Sequence, residues 1–383
     1  MKLYLNDVGL LCAVGNSRAE ILKRLLSGDR SGLVATSEFG FPAIVGQVTG
    51  DLPEIDSPFY ACRNNQLLLA ALSQIKPTVD SMIAKFGCHR VGVVLGTSTS
   101  GVRNTELALA GALSKQFHYK QQQMGAGADF LAAHLGLTAP AYTISTACSS
   151  SGKAFASARR LINLGVCDAV IVGGADSLCS LTLHGFAALE SLSTGYCKPF
   201  GFHRNGINIG EAASLFVLSK EPAAVELLGI GASSDAYHFS APDPEGTAVI
   251  TAMQLALNDA GKQTDEVDYL NLHGTATLLN DAMESKAVNA LFGSRVAASS
   301  SKGMTGHTLG AAAALELGFC WLLLTDNEQG ALIPNINDDE LDSELPSLNL
   351  AQQGTTLGRS ITVCQSNSFA FGGNNVSIVI ARV

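Results

Sequence analysis

The sequence predicts an α/β protein built from a duplicated unit, and two observations carry this. Apolar, β-branched runs alternate with helical stretches, the pattern of parallel-rich sheets covered by helices on both faces. One arrangement also recurs along the chain. A strand stops at a small-residue turn and restarts as a helix, first around Cys148 and again around His307.

Taken in order, Arg90 to Gly96 reads as a buried strand. Ala141 to Ser145 is a second, leading into the Cys148 turn and a helix over 153–164. Ala169 to Gly174 and Ala212 to Leu218 are further buried strands. In the second half, 248–261 spaces Ala252, Leu255, Ala256 and Leu257 as one helical face. A strand over 267–272 follows. The stretch 311–324 is helical and apolar except for Glu316; it is too short to span a bilayer and reads as a helix buried on all sides. Strands over 360–364 and 376–381 flank the turn at 369–373. We place the boundary between the halves after residue 229. The first half, 1–229, carries the Cys148 turn, and 230–383 carries His273 and His307. No Pro/Ser-rich linker separates them, so rigid packing is expected. The polar, acidic stretch 335–349 reads as a surface loop.

Of 383 residues, 47% are hydrophobic and only 15% charged, which suffices for a large core and a buried subunit interface. With a net charge of -9, nothing invites nucleic acid, which would need a basic stripe. Nine cysteines form no paired spacing, so all but Cys148 read as reduced core residues, and no CxxC pair supports a metal site. The opening residues lack a signal-peptide pattern, and a cytoplasmic location is expected.

The chemistry-bearing residues stand at element ends. Cys148 lies in Tyr142-Thr-Ile-Ser-Thr-Ala-Cys-Ser-Ser-Ser-Gly152, its sulfur at the positive end of the following helix, which favours thiolate. A buried core cysteine has the same appearance. His273 ends an apolar run before Gly274, and His307 sits between Gly306 and Gly310; glycines there let a ligand approach the backbone. His89, His118, His134, His184, His203 and His238 lack such surroundings.

Five segments in order resemble the β-ketoacyl-acyl carrier protein synthases, elongating condensing enzymes on the thiolase fold. They are Thr146-Ala-Cys-Ser-Ser150; Pro199-Phe-Gly-Phe-His-Arg-Asn-Gly206 with Gly210-Glu-Ala212; His273-Gly-Thr-Ala-Thr277 with Asn280-Asp281; Ser301-Lys-Gly-Met-Thr-Gly-His-Thr-Leu-Gly-Ala-Ala312; and Asn367-Ser-Phe-Ala-Phe-Gly-Gly-Asn374. The resemblance implies a duplicated five-layer α-β-α-β-α fold. It implies an acyltransferase in fatty-acid or polyketide/polyene-type biosynthesis, performing a decarboxylative Claisen condensation. Cys148 would hold the acyl chain, and His273 and His307 would bind the malonyl thioester oxygen. The Cys148 and Phe371 N–H groups would form the oxyanion hole, with Phe371 also a gate swinging on Gly372 and Gly373. Phe369, Thr275 and Thr277 would line the substrate channel. Lys302 and Glu316 would pair in support, since a lone glutamate in an apolar helix needs a partner. The partners implied are an acyl carrier protein and a second subunit, identical or of chain-length-factor type. The arm is the carrier's phosphopantetheine, and no resident cofactor or metal is expected. Arg204, and less so Arg63 and Lys120, are the docking candidates.

The alternatives are a non-catalytic chain-length factor, disfavoured because the Cys-His-His set is complete; a thiolase, disfavoured by Phe369-Ala-Phe-Gly-Gly373 where a second cysteine belongs; and a cysteine hydrolase, which needs one histidine. The chain departs from the pattern at Ala370, where alanine is expected to stiffen the gate, at Asn205 and Asn374, and in the run Phe117-His-Tyr-Lys-Gln-Gln-Gln-Met124. The matching segment of the family is largely apolar and helps form the far end of the acyl pocket across the dimer; three glutamines there imply a polar end, a shifted loop or an unusual substrate, and with them a specialised product.

Overall fold

A computed structural model of the chain describes residues 1–113, 117–337 and 340–383. Fourteen strands appear in it: β1 (Tyr4–Cys12), β2 (Leu33–Thr36), β3 (Ala43–Gly46), β4 (Val91–Gly96), β5 (Ala141–Ile144), β6 (Ala169–Asp176), β7 (Ile209–Gly210), β8 (Ala212–Ser219), β9 (Val225–Ser234), β10 (Tyr269–Asn271), β11 (Ala297–Ser299), β12 (Asn349–Leu350), β13 (Val363–Phe369) and β14 (Asn374–Arg382). Eleven join in the order β12-β11-β10-β13-β14-β9-β1-β8-β6-β4-β5, while β2, β3 and β7 form a small separate sheet.

Apart from β12 at one edge, the large sheet is two five-stranded copies of one pattern. From β1 outward the order is β1-β8-β6-β4-β5, two antiparallel pairings and then two parallel ones. From β9 outward it is β9-β14-β13-β10-β11, with the same sequence of directions. Within the sheet the copies pair where Tyr4 faces Glu226. The second copy opens with β9 at Val225, so the boundary expected after residue 229 falls inside a strand.

Apolar faces stack the copies into layers. The helix Arg63–Phe86 covers one face of β4, β6 and β8, with the helix Ala126–Leu135 beside it. The helices Thr247–Ala260 and Leu278–Phe292 cover the outer face of the second copy. Between the copies lie the helices Ser150–Asn163 and Ala312–Thr325. Residues 312–324 are buried on every side, as their uniform apolarity requires. The result is the expected α-β-α-β-α arrangement. It brings the N-terminal approaches of both central helices together, and these carry Cys148 and His307. No described helix is long and apolar enough to cross a membrane.

Two elements differ from their sequence outlines. β13 begins at Val363 and runs to Phe369, because Gln365, Ser366, Asn367 and Ser368 are buried yet mostly hydrogen-bonded. The 335–349 stretch is not simply a loose loop. Asn335 is buried, bonding Ser300 and Pro199, and Asp342 pairs with Arg204; positions 338–339 of that stretch lie outside the described residues.

Candidate active site

The Cys148 turn is a strained elbow. β5 ends at Ile144, and Ala147 adopts a left-handed φ of 51° immediately before the cysteine, a conformation that costs free energy in a non-glycine residue. Ser150 holds it, accepting from the Thr146 N–H at 2.8 Å and donating to the Ala147 carbonyl at 2.5 Å. The strand alongside must come very close: a Cβ on Gly96 would lie 2.1 Å from the Ser151 nitrogen, so only glycine fits. Ser368 donates to the Cys148 carbonyl at 3.2 Å, tying the elbow to the second half.

The His273 loop leaves the end of β10 and is clamped by two carboxylates. Glu284 accepts from the His273 and Gly274 N–H groups, both at 2.7 Å. Asp281 accepts from Phe200 at 2.7 Å and from Ala276, whose φ is 64°. The helix Leu278–Phe292 thus aims its first turns back at the loop it leaves. Asp281 and Glu284 together fix the backbone of the 273–276 loop. Lys302 donates to the His273 carbonyl and to Glu316 Oε1, each at 2.5 Å, and its Nζ lies 3.4 Å from His273 Nδ1. His307 is held by its backbone, donating to the Asn208 carbonyl at 2.7 Å and accepting from Gly210 at 2.9 Å.

These elements bring three side chains from distant sequence positions to one point. His307 Nε2 stands 2.9 Å from Cys148 Sγ. The two imidazoles meet edge to face, centroids 5.3 Å apart, and the sulfur and ring nitrogens lie within 4.8 Å of one another. All three side chains are buried and line a cavity of about 300 Å³, with Phe369, Phe371, Gly372, Thr275 and Thr277 in its wall. Lys302 and Glu316 stand behind His273, outside the cavity wall.

Burial dominates the electrostatics. It pushes the Cys148 thiol up to about 12, although the Lys302 charge and the Phe371 N–H pull it down. Both imidazoles are held well below the usual histidine range, by burial first and the Lys302 cation second. The resting pair is therefore neutral thiol and neutral imidazole, which corrects the expectation of a helix-stabilised thiolate. A metal ion fits this cluster poorly. A ligating histidine donates from its other nitrogen to an acceptor, whereas His273 Nδ1 faces an ammonium.

Phe371 packs its ring 5.5 Å from that of Phe186. Gly372 and Gly373 have φ of 77° and 74°, and their loop is latched to the 235–239 segment by Gly372 N–H to the Phe239 carbonyl at 2.8 Å and Asp235 N–H to the Gly373 carbonyl at 3.0 Å. Ala370 is extended at φ -115°, a conformation any residue adopts, so alanine imposes no strain of the kind expected there.

The docking expectations need correction at two positions. Arg204 is buried and bonded to Asp342 and the Gly201 carbonyl. Arg63 is spent on the fully buried Glu211 and the Val48 carbonyl. Neither offers a free charge. Lys120 is exposed, its ammonium 5.2 Å from the Phe59 ring. The 117–124 run is not in the wall of this chain's own cavity; Gln121 is buried, bonding Asn104 and the Pro58 carbonyl, and Gln122 bonds Thr105. Sequence reading missed Asp176, a buried carboxylate at the end of β6. It accepts from Thr97, Ser98 and Thr99 and fixes the loop after β4. The signal available was an aspartate closing an apolar strand.

Residues 71–224 match the family described as beta-ketoacyl synthase, N-terminal domain, and residues 224–338 the corresponding C-terminal domain. Nodulation protein E of Rhizobium leguminosarum bv. trifolii is 32% identical, over 100% of this chain and 99% of that protein. The 3-oxoacyl-[acyl-carrier-protein] synthase 1 of Escherichia coli K12 is 30% identical over the same shares. Among solved structures, the ketosynthase (ApeO) in complex with its chain length factor (ApeC) from Xenorhabdus doucetiae superimposes with a TM-score of 0.95 at 43% identity, covering 100% of this chain and 98% of that one.

Proposed function

The chain belongs to the β-ketoacyl synthase family, and from that membership we propose that Cys148, His273 and His307 carry a decarboxylative Claisen condensation on carrier-bound thioesters. The observation that supports these roles most is the 2.9 Å contact between Cys148 Sγ and His307 Nε2, beside His273, in one buried cavity.

In the first step Cys148 Sγ attacks the acyl thioester carbonyl. Its proton passes to His307 Nε2 and on to the departing pantetheine sulfur, leaving acyl-Cys148 and a free carrier thiol. The Cys148 and Phe371 N–H groups hold the tetrahedral oxyanion; both already pull the Cys148 thiol down against burial. In the second step the C–CO₂ bond of malonyl-carrier breaks and releases carbon dioxide. The electron pair flows into the thioester carbonyl, whose oxygen takes hydrogen bonds from both imidazoles. The enolate carbon then attacks acyl-Cys148; the C–C bond forms, the C–S bond breaks, and the departing Cys148 thiolate takes one proton from water to restore the thiol. His307 Nδ1 has no hydrogen-bond partner among the described residues, so no neighbour pins its tautomer. The ring can accept at Nε2 in the first step and donate from Nε2 in the second.

Lys302 and Glu316 support His273 from behind, Thr275 and Thr277 contact the carrier's arm, and Phe369, Phe371, Gly372 and Gly373 form the gate. The scheme needs no resident cofactor, because the phosphopantetheine belongs to the acyl carrier protein, and the cytoplasm is the compartment we assign. β5 ends the large sheet and, among the described residues, is paired only to β4. We take this as the face that receives a second subunit. Similarity to a ketosynthase solved with its chain length factor favours such a partner over a second copy. Native mass spectrometry of the co-expressed pair distinguishes the two.

Intact-mass measurement with acyl-carrier protein tests the chemistry. Wild type gains one acyl group, Cys148→Ala gains none, and His273→Ala acylates but releases no carbon dioxide from malonyl-carrier. An acyl group retained in Cys148→Ala removes the cysteine from its assigned role.

A further inference from the structure

The entrance to the cavity carries apolar side chains where a docking surface for an acidic carrier calls for cations. Leu278 and Leu279, each 60% exposed, open the helix Leu278–Phe292 and line the cavity. Leu189 lines it as well and is exposed. Phe239 is 68% exposed, and its carbonyl is the latch for Gly372, which places it beside the gate. Apart from the catalytic groups, the charged side chains that the described residues give the cavity wall are Glu190 and Asp235, both acidic, and no described Lys or Arg is in it. Arg204 is buried against Asp342, the partly exposed Arg63 is paired with the buried Glu211, and the exposed Lys120 stands outside the cavity wall.

Resting on the condensing reading above, we propose that the carrier docks on this rim by apolar contact rather than by ion pairing. Large exposed apolar groups gathered at one opening mark an interaction site, and burying them stabilises a complex in proportion to the area covered. The overall charge of -9 and the acidic wall repel an acidic partner at long range. Short-range burial must therefore supply what steering does not. The occupant is a helical carrier that presents apolar residues around the attachment point of its phosphopantetheine arm, with the arm running past Leu278 toward Thr275, Thr277 and Cys148.

The two docking modes respond oppositely to salt. Ion-paired docking weakens steeply as ionic strength rises, whereas apolar docking holds or tightens. The probe is a holo-acyl carrier protein whose arm bears a stable amide-linked octanoyl group, titrated by fluorescence anisotropy. Its Kd is expected to change by less than about twofold between roughly 0.05 and 0.5 M NaCl. Leu278→Ser with Leu279→Ser is expected to lower kcat/KM for acyl-carrier about tenfold more than for the carrier-free acyl-pantetheine, the loss expected when buried leucine contacts go. A Kd that rises tenfold with salt, or equal losses on both substrates, overturns the proposal. Either result can occur while acyl-pantetheine still acylates Cys148 normally, so the docking mode and the condensing reading fail separately.

Discussion

Lys302 Nζ lies 3.4 Å from His273 Nδ1, and both groups are buried. An ammonium has no lone pair to offer, so it can only donate to that nitrogen. Neutral His273 is thereby fixed with its proton on Nε2, the tautomer that donates to an oxygen in the cavity. Glu316 balances the charge. Removing Glu316 alone strands a buried cation, at a cost of about 3–5 kcal/mol. Glu316→Leu is therefore expected to unfold at markedly lower temperature, and Lys302→Met with Glu316→Leu to recover most of that loss. The double variant should still release carbon dioxide about 10²-fold more slowly, the loss typical of one preorganised donor. Calorimetry and decarboxylation rates together separate stability from chemistry.

Cys148 should show no preformed thiolate. Only the thiolate alkylates, and with the thiol pushed up to about 12 its ionised fraction climbs about tenfold per pH unit throughout the neutral range. The iodoacetamide rate at Cys148 is expected to rise from roughly pH 6 to 9 without a plateau, followed by peptide mass spectrometry. Lys302 pulls this thiol down, so Lys302→Met should slow alkylation at every pH. A plateau below pH 8 would contradict the burial argument.

The gate loop distinguishes its glycines from its alanine. A Cβ on Gly373 would sit 2.1 Å from the Asp235 carbonyl oxygen, at a φ of 74°. Gly373→Ala must push the loop off the 235–239 segment, and its acylation rate should fall at least about tenfold, consistent with the sensitivity of catalysis to small misplacements. Ala370→Gly faces no such conflict. It should leave rates near wild type and lower the melting temperature slightly, through the entropy gained by the unfolded chain. Stopped-flow acylation of the two variants is the comparison.

Much of this was legible because element ends are conspicuous in sequence. Cys148, His273 and His307 each close or precede an element beside glycine or serine, and the uniformly apolar 311–324 stretch could only be a central helix. What stayed hidden is polar and internal. The strand through Gln365, Ser366 and Asn367 has no apolar period, because most of its polar groups bond Ser377 and other neighbours rather than water. Arg204 and Arg63 look like surface cations because their partners, Asp342 and Glu211, are distant in sequence. The thiol's charge was misjudged for a related reason. A helix terminus is local and can be read along the chain, whereas the burial that outweighs it is made by both halves together.

Glu284 offers a sharper test of positioning. It is fully buried, and burial with the neighbouring Asp281 charge pushes it up to about 8, against the two N–H groups it accepts. As a carboxylate it can hold the His273 and Gly274 amides with separate oxygens; once protonated, one oxygen becomes a hydroxyl and a poorer acceptor. Decarboxylation should therefore increase as pH rises through about 8, while acylation, which does not use His273, should not follow the same limb. The stability term has the opposite sign. Between an ordinary glutamate value of 4.5 and about 8 the folded state binds more protons than the unfolded one, so this group makes the fold less stable as pH rises across that window. Glu284→Gln keeps one acceptor oxygen and cannot ionise. It should release carbon dioxide more slowly than wild type, lose the limb near pH 8, and melt with a shallower dependence on pH. A variant that was merely unstable would lose rate at every pH and keep the wild-type profile.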